Sequence, residues 1–346
     1  MLVFLVILIV ILTAFLTLWL FLALFYPHVN PGLRLPGAII SAFTSYYSVK
    51  GLRRFAGIAN RFMPFFFPSR SRSMITKKVI IKGIDGNDIP LVIYSPKNQK
   101  PDATGFLWIH GGGFAIGTPG GEKSFLKPFV TELNTVAVVP DYTLSVKAPY
   151  PAAFNDCSSA LLWMKDNALK LGINPNQLFI GGASAGGAIA ASLSLYARDS
   201  GLVRLAYQFP IYPMANDRMD TASMKGNNEF LWNEKRNRAA WEAYLGSLYG
   251  SDEVPCYASP LRAEDFSGLP PCYTFVGTLD PFYDETLMYI NALKEAGVPA
   301  CYDTYEAAFH GFDVIPSKIS RKARRRLLEV YKEAVRTAFS DGQPQP

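Results

Sequence analysis

The chain has 346 residues, 49% of them hydrophobic, and a formal net charge of +6. About 320 residues follow an apolar start, which is large for a single core but suits one domain with an insertion. The four cysteines lack metal-ligand spacing and no phosphate-binding loop is present, so the sequence predicts no metal and no cofactor.

Residues 1–26 are predicted to form a transmembrane anchor. Residues 1–25 carry no charge, and a helix of that length reaches about 37 Å, enough to cross a hydrocarbon core of about 30 Å. No basic residue precedes the run and its end is bulky, which favours an uncleaved anchor over a signal peptide. The nearby basic residues, at positions 34, 50, 53 and 54, all follow the run, so the positive-inside rule predicts a single-pass protein whose catalytic part faces the cytoplasm.

Residues 27–75 form the juxtamembrane region. Their apolar side chains recur at near-helical spacing between positions 39 and 62, and Lys50, Arg54 and Arg61 lie off that stripe. The pattern predicts a helix that covers the core, or an interfacial helix whose basic face meets anionic lipid.

The following residues, 76–340, alternate predicted strands with predicted helices. Strands are expected at 78–82 and 90–94, joined as a hairpin, and then at 106–109, 136–139, 177–181, 207–211, 272–277 and 300–305. Helices are expected at 152–171 and 317–339, and the last residues, 341–346, as a disordered tail. This alternation predicts an α/β fold with a mostly parallel central sheet and helices on both faces. The interval at about 213–260 interrupts the alternation of strands and helices, and because it is longer than a usual connection it predicts a helical insertion.

Residues 182–187 carry the sequence G-x-S-x-G between a predicted strand and a predicted helix. This context is that of a nucleophile elbow, a sharp turn that exposes the serine, here Ser184. Gly182 and Gly186 are expected because a Cβ on either would clash with the strand or the helix. A tightly packed glycine turn without activity is the alternative.

Two further stretches supply the groups that a nucleophilic serine needs. The sequence H-G-G-G-F over residues 110–114 follows a predicted strand, so the N–H groups of Gly111, Gly112 and Ala185 are expected to form an oxyanion hole. Of the three histidines, His28 lies beside the apolar run and His110 is expected to brace the glycine loop. His310 is therefore the predicted base.

The acid that orients the base is predicted on the loop after the strand at 272–277. Asp280 lies on that loop, whereas Asp284 resembles a helix cap and is the fallback. The chain order Ser184, Asp280, His310 is the order of α/β-hydrolases.

Together these motifs resemble the hormone-sensitive-lipase-like esterases, a group that includes arylacetamide deacetylase and many microbial carboxylesterases. The resemblance covers about the last three quarters of the chain and implies the α/β-hydrolase fold, a Ser184, His310 and Asp280 triad, and ester hydrolysis without a metal. It also implies a cap formed by residues 27–75 and about 213–260. Phe114, Tyr212, Trp232 and Phe282 are predicted to bind substrate. Packing of the cap aromatics into a small core of their own is the alternative.

The predicted function is a membrane-anchored serine hydrolase of small-molecule or lipid esters. Amide hydrolysis by the same site, a non-catalytic ligand-binding module and a membrane-tethered interaction protein stay open as alternatives. The basic residues of the last helix are expected to form a solvated face and not to bind nucleic acid, since no interleaved aromatic platform accompanies them. The oligomeric state is not predicted.

Overall fold

The computed structural model describes residues 2–44 and 46–340, so the predicted tail over 341–346 lies outside the described residues. Within this part of the chain the helices are α1 (Leu2–Phe25), α2 (Pro31–Phe43), α3 (Val49–Phe66), α4 (Lys123–Glu132), α5 (Ala152–Asp166), α6 (Ala185–Ser200), α7 (Glu234–Leu245), α8 (Tyr283–Glu295) and α9 (Lys318–Ser340). The strands are β1 (Ile75–Lys82), β2 (Asp88–Ser95), β3 (Ala103–Ile109), β4 (Thr135–Pro140), β5 (Ile173–Ala183), β6 (Tyr207–Ile211), β7 (Cys272–Gly277) and β8 (Ala300–Tyr305).

The strands form one sheet in the order β1-β2-β4-β3-β5-β6-β7-β8. β1 and β2 are the predicted hairpin, and β2 pairs antiparallel with β4. From β4 to β8 every pairing is parallel, so the carboxyl ends of β3, β5, β7 and β8 lie along one edge of the sheet. The prediction of a mostly parallel sheet is confirmed.

Both faces of the sheet are buried, as a parallel sheet requires. Along β3, Leu107 and Ile109 join the core on the side of α5 and α6, whereas Phe106 and Trp108 join the core on the side of α4 and α9. This alternation follows from the two-residue period of a strand. Every residue of β3 is buried, which explains why its sequence is a continuous apolar run.

The uncharged run at the start of the chain forms α1 (Leu2–Phe25), so the helical part of that prediction is confirmed. The described residues leave out several α1 side chains, and they include no helix that has both the length and the apolar character needed to span a bilayer. The prediction of a transmembrane anchor over 1–26, with a cytoplasmic-facing catalytic part, is therefore not supported.

Helices α2 and α3 only partly follow the predicted apolar stripe. Leu52 and Ala56 are buried, but Ile58 and Phe62 are 65% and 53% exposed. The helical period explains the difference, because a face centred on Leu52 and Ala56 continues at Asn60 and turns positions 58 and 62 outward. The prediction that the whole stripe covers the core is wrong.

The segment between β6 and β7 returns to the side occupied by α2 and α3. The buried Arg236 of α7 donates from Nη2 to the carbonyl oxygen of Ser41, 3.2 Å away. Gly37 of α2 lies so close to Phe309 and Phe230 that a Cβ there would be 2.7 Å from the Phe309 ring. We call α2, α3, α7 and their flanking residues the cap. Its boundaries at 27–75 and about 213–260 stay a prediction.

Candidate active site

Ser184 occupies the turn between β5 and α6 in a conformation that most residues avoid. Its φ is 58° and its ψ is −119°, a strained combination typical of functional turns. A Cβ at Gly182 would lie 2.3 Å from the carbonyl oxygen of Gly186, and one at Gly186 would lie 2.1 Å from that of Ile109. The two glycines are therefore required by the close approach of β3 and α6, as the sequence predicts.

The structure brings Ser184, His310 and Asp280 into one hydrogen-bonded row. His310 Nε2 lies 2.9 Å from Ser184 Oγ, and His310 Nδ1 lies 2.8 Å from Asp280 Oδ2. An ionised carboxylate only accepts, so Nδ1–H donates to Asp280 and Nε2 is left to accept the serine proton. The other Asp280 oxygen, Oδ1, accepts the backbone N–H of Phe282 at 2.8 Å. Asp284, the fallback, instead accepts the N–H of Ser223.

The three side chains are enclosed by the cap and the sheet edge. Asp280, Ser184 and His310 are only 1%, 5% and 6% exposed. Such burial excludes water and strengthens the interactions of any charge that forms there. Within residues 2–44 and 46–340, no group of three His, Cys, Asp or Glu side chains is arranged to hold a metal ion.

Two of the residues predicted to bind substrate pack on the base. The rings of Tyr212 and Phe282 each stand edge-on to the His310 ring, with centroids 4.8 Å away. The Tyr212 hydroxyl donates to Asp313 Oδ1 at 2.7 Å, and Asp313 faces the guanidinium of Arg324. These contacts favour a role for Tyr212 and Phe282 in holding the imidazole rather than in touching substrate.

The other two predicted substrate-binding residues lie on the glycine-loop side of the site. The indole of Trp232 covers Gly113 so closely that a Cβ there would be 2.3 Å from the ring. Its centroid is 6.2 Å from that of His310. Phe114 is fully buried and stacks on Tyr244 at 3.7 Å. Trp232 therefore lies beside the glycine loop and His310, whereas Phe114 joins the core beneath α7.

The glycine loop places its backbone beside the nucleophile. A Cβ on Gly111 would be 3.4 Å from the Cβ of Ser184, and one on Gly112, where φ is 108°, would be 1.8 Å from the carbonyl oxygen of Ile116. Among the turn and loop hydrogen bonds of the described residues, the N–H groups of Gly111 and Gly112 donate to none. Ala185 is the first residue of α6, where N–H groups lack an intrahelical acceptor. Three donors are thus available near Ser184.

His110 braces this loop, as predicted. Its Nδ1 lies 2.9 Å from the carbonyl oxygen of Gly111, and its ring stacks on Tyr142 at 4.3 Å. The Tyr142 hydroxyl in turn donates to the carbonyl oxygen of His110. Burial lowers the pKa of His110 to about 4, so the ring is neutral near pH 7 and its Nδ1–H donates to Gly111.

A second brace comes from the cap and was not predicted. The side-chain amide of Asn60 in α3 donates from Nδ2 to the carbonyl oxygen of Ala115 at 2.9 Å. Its Oδ1 accepts the N–H of Gly117 at 3.1 Å. No spacing in the sequence signals this contact, because one helical asparagine meets a loop more than fifty residues away. Asn60 thereby fixes the far end of the loop that starts at His110.

Comparison with known proteins agrees with this geometry. A family model described as the α/β hydrolase fold matches residues 106–314. Carboxylesterase NlhH of Mycobacterium tuberculosis is 31% identical over 66% of this chain and 73% of its own length. Arylacetamide deacetylase of Bos taurus is 28% identical over 68% of this chain and 75% of its own.

Solved structures show the same similarity. A bacterial heroin esterase superposes with a TM-score of 0.82 and 31% identity, over 89% of this chain and 98% of its own. The likeness to esterases in both sequence and structure identifies an enzyme of the carboxylesterase type. The chain belongs to the α/β-hydrolase family, in the group of hormone-sensitive-lipase-like esterases.

Proposed function

We propose that the protein is a serine carboxylesterase that forms an acyl-enzyme on Ser184, with His310 as the base and Asp280 as its orienting acid. The observation that carries this proposal is the 2.9 Å separation of His310 Nε2 from Ser184 Oγ, with Asp280 bonded to the opposite ring nitrogen. A nucleophile within hydrogen-bond reach of an oriented base is the arrangement that serine hydrolysis requires.

Acylation begins when Ser184 Oγ attacks the ester carbonyl carbon and His310 Nε2 takes its proton. The imidazolium that forms stays bonded to the Asp280 carboxylate, whose burial makes their attraction stronger than it would be in water. Collapse of the tetrahedral intermediate expels the alcohol, which receives the proton from His310. Water then attacks the acyl-enzyme with His310 again as base, and the carboxylic acid leaves as His310 returns the proton to Ser184 Oγ.

The negative charge on the tetrahedral oxygen is stabilised by the N–H groups of Gly111, Gly112 and Ala185. Each well-placed donor of this kind contributes about 3 kcal/mol to the transition state. Braced loop geometry supports this role, because His110 and Asn60 bond the loop at both ends. Donors held in place before reaction cost no reorganisation during it.

The walls of the site favour an apolar acyl or aromatic ester. The Trp232 ring, which lies over Gly113 and 6.2 Å from the His310 ring, supplies an aromatic wall, while Phe282 and Tyr212 hold the imidazole in place. Because Ser184 is only 5% exposed, we expect side chains of the cap such as Trp232 to shift when an ester enters.

The test is hydrolysis of p-nitrophenyl esters with short, medium and long acyl chains by the full chain and its Ser184→Ala variant. We expect the variant to lose at least about a thousandfold in kcat/KM. Ser194→Ala is the matched control, since Ser194 lies in the same helix but bonds only the carbonyl oxygen of Ala190. A fluorophosphonate probe is expected to label the parent and the control but not Ser184→Ala. Labelling or turnover that survives in Ser184→Ala contradicts the proposal.

A further inference from the structure

The net positive charge of this protein comes from its first quarter. Residues 1–84 contain ten Lys or Arg and no Asp or Glu, whereas residues 85–346 contain 24 Lys or Arg and 28 Asp or Glu. The net charge of +6 therefore arises entirely from the segment that includes α1, α2, α3 and β1. A one-sided distribution of this size attracts an anionic partner to that side of the molecule.

The outer face of α3 combines this charge with exposed apolar side chains. Ile58, Phe62, Phe65 and Phe66 follow one another at helical spacing and are 65%, 53%, 81% and 67% exposed. Phe67, directly after the helix, is 48% exposed. We call these five residues the phenylalanine patch. A cluster of four exposed phenylalanines is unusual for a solvated helix and marks an interaction surface.

Basic side chains flank the patch and are not neutralised. Lys50, Arg54 and Arg61 are exposed, and no ion pair involves any of them among the residues that the structure describes. Arg54 lies one turn before Ile58, and Arg61 is next to Phe62. The face that α3 turns outward is therefore both apolar and cationic.

The patch is held rigidly on the protein. Asn60, on the inner side of α3, bonds Ala115 and Gly117. After the helix, the Lys123 ammonium donates to the carbonyl oxygens of Pro68 and Arg70. Gly120 lies so close to the chain that a Cβ there would be 1.9 Å from the carbonyl oxygen of Phe67. The aromatic side chains thus project from a fixed support.

We propose that the outer face of α3 is a docking surface for an anionic lipid bilayer. Phe62, Phe65 and Phe66 enter the boundary between head groups and acyl chains, and Lys50, Arg54 and Arg61 contact lipid phosphates. A helix with large apolar side chains and a basic flank binds membranes in this orientation, parallel to the surface. Each basic side chain near an anionic leaflet adds about fivefold to the partition coefficient.

Charge selects the bilayer over a second copy of this chain. Two copies that met through this face would bring two strongly cationic segments together without an acidic group in either. A bilayer also accepts phenylalanine side chains at any position, so it needs no shaped pocket to receive a convex helix.

The experiment places a fluorescent probe in the patch. Phe66→Cys carries a nitrobenzoxadiazole group in a full-length background in which the two accessible thiols are replaced, Cys256→Ser and Cys301→Ser. Leu169→Cys carries the same probe as a control. Leu169 is 80% exposed and lies just before β5, at the edge of the sheet opposite Ser184. Circular dichroism and thermal unfolding confirm that each protein is folded, so the result does not depend on esterase activity.

Quenching by doxyl-labelled lipid is then measured in vesicles of phosphatidylglycerol with phosphatidylcholine, and in pure phosphatidylcholine. We expect strong quenching at position 66 only with the anionic lipid, and little at position 169. The triple variant Lys50→Gln, Arg54→Gln, Arg61→Gln should raise the lipid concentration needed for half-maximal quenching about a hundredfold. The matched triple variant Lys318→Gln, Arg321→Gln, Lys322→Gln removes the same charge from the exposed face of α9. It should leave the lipid concentration needed for half-maximal quenching nearly unchanged.

Three results overturn the proposal. The first is a position 66 probe that stays unquenched while the protein sediments with anionic vesicles. The second is equal quenching with both lipid compositions, because the basic side chains then have no role. The third is shielding of the position 66 probe that increases with protein concentration in the absence of lipid, because this face then contacts a second copy of the chain.

Discussion

Asn60 bonds the cap to the loop that carries the proposed oxyanion donors, and its replacement tests whether that bond positions them. Leucine has the same branched shape as asparagine, with bulkier methyl ends, but its side chain neither donates nor accepts a hydrogen bond. Asn60→Leu therefore removes the bonds to the Ala115 carbonyl oxygen and the Gly117 N–H while keeping the helix. We expect the far end of the glycine loop to lose its fixed position.

The size of the effect follows from the two bonds. Each contributes about 1 kcal/mol net, so the loop is destabilised by about 2 kcal/mol in its donor geometry. The N–H groups of Gly111 and Gly112 bind the oxyanion far more strongly than the neutral ester carbonyl, so the loss falls on the transition state. We expect kcat to fall about thirtyfold and KM to change by less than about threefold.

The assay is steady-state hydrolysis of one p-nitrophenyl ester, with thermal unfolding measured on the same proteins. Gln177→Met is the matched control, because Gln177 also makes two side-chain hydrogen bonds, to Thr104 and to the carbonyl oxygen of Val335, but away from the site. It should lower the melting temperature and leave kcat unchanged. An Asn60→Leu kcat within about threefold of the parent, or an equal kcat loss in Gln177→Met, refutes a positioning role.

Two further predictions concern the parts that meet at Ser184. His110 has a folded-state pKa of about 4 against about 6.5 in an unfolded chain, so only the unfolded state takes up a proton as the pH falls below 6.5. As the pH falls from 7 to 5, His110 should lower the free energy of unfolding, measured in urea, by about 2 kcal/mol. The His110→Asn variant, whose side chain can still donate to Gly111, should lack this part of the pH dependence. Gly186→Ala would press a Cβ against the Ile109 carbonyl oxygen at 2.1 Å and should destabilise the fold by about 3 kcal/mol or more. Gly57→Ala, in α3 with no atom within 4 Å of the added Cβ, should instead stabilise it by about 0.5 to 1 kcal/mol, and an equal loss in both variants contradicts the clash argument.

The sheet could be predicted because its signals are local. β6, β7 and β8 begin and end where the apolar runs at 207–211, 272–277 and 300–305 do. A strand followed by G-x-S-x-G and a helix specifies a turn within about ten residues, and the close contacts of Gly182 and Gly186 follow from that turn alone. The choice of Asp280 over Asp284 also rested on local position, since a loop residue after a strand reaches the sheet edge and a first-turn helix residue does not.

The cap could not be predicted at the same level. Both faces of α3 carry apolar residues, so the sequence pattern alone does not decide which face packs inward, and Ile58 and Phe62 of the predicted apolar stripe are exposed. Asn60 and Tyr212 act through partners 55 and 101 residues away in the chain, at Ala115 and Asp313. Hydrogen bonds of that separation leave no periodicity, and they depend on how the cap settles on the sheet edge.

Helix α3 connects the proposed active site and the proposed docking surface through its opposite faces. Its inner face bonds the glycine loop through Asn60, and its outer face carries the phenylalanine patch. A helix of this length moves as one body, so a surface that shifts α3 also shifts the N–H groups of Gly111 and Gly112. Docking that preserves both Asn60 bonds concentrates the enzyme at the bilayer and leaves kcat unchanged. Docking that breaks or tightens the two Asn60 bonds moves α3 to a second position and changes kcat. The free-energy change behind that kcat change cannot exceed the difference in the bilayer's affinity for the two positions of α3.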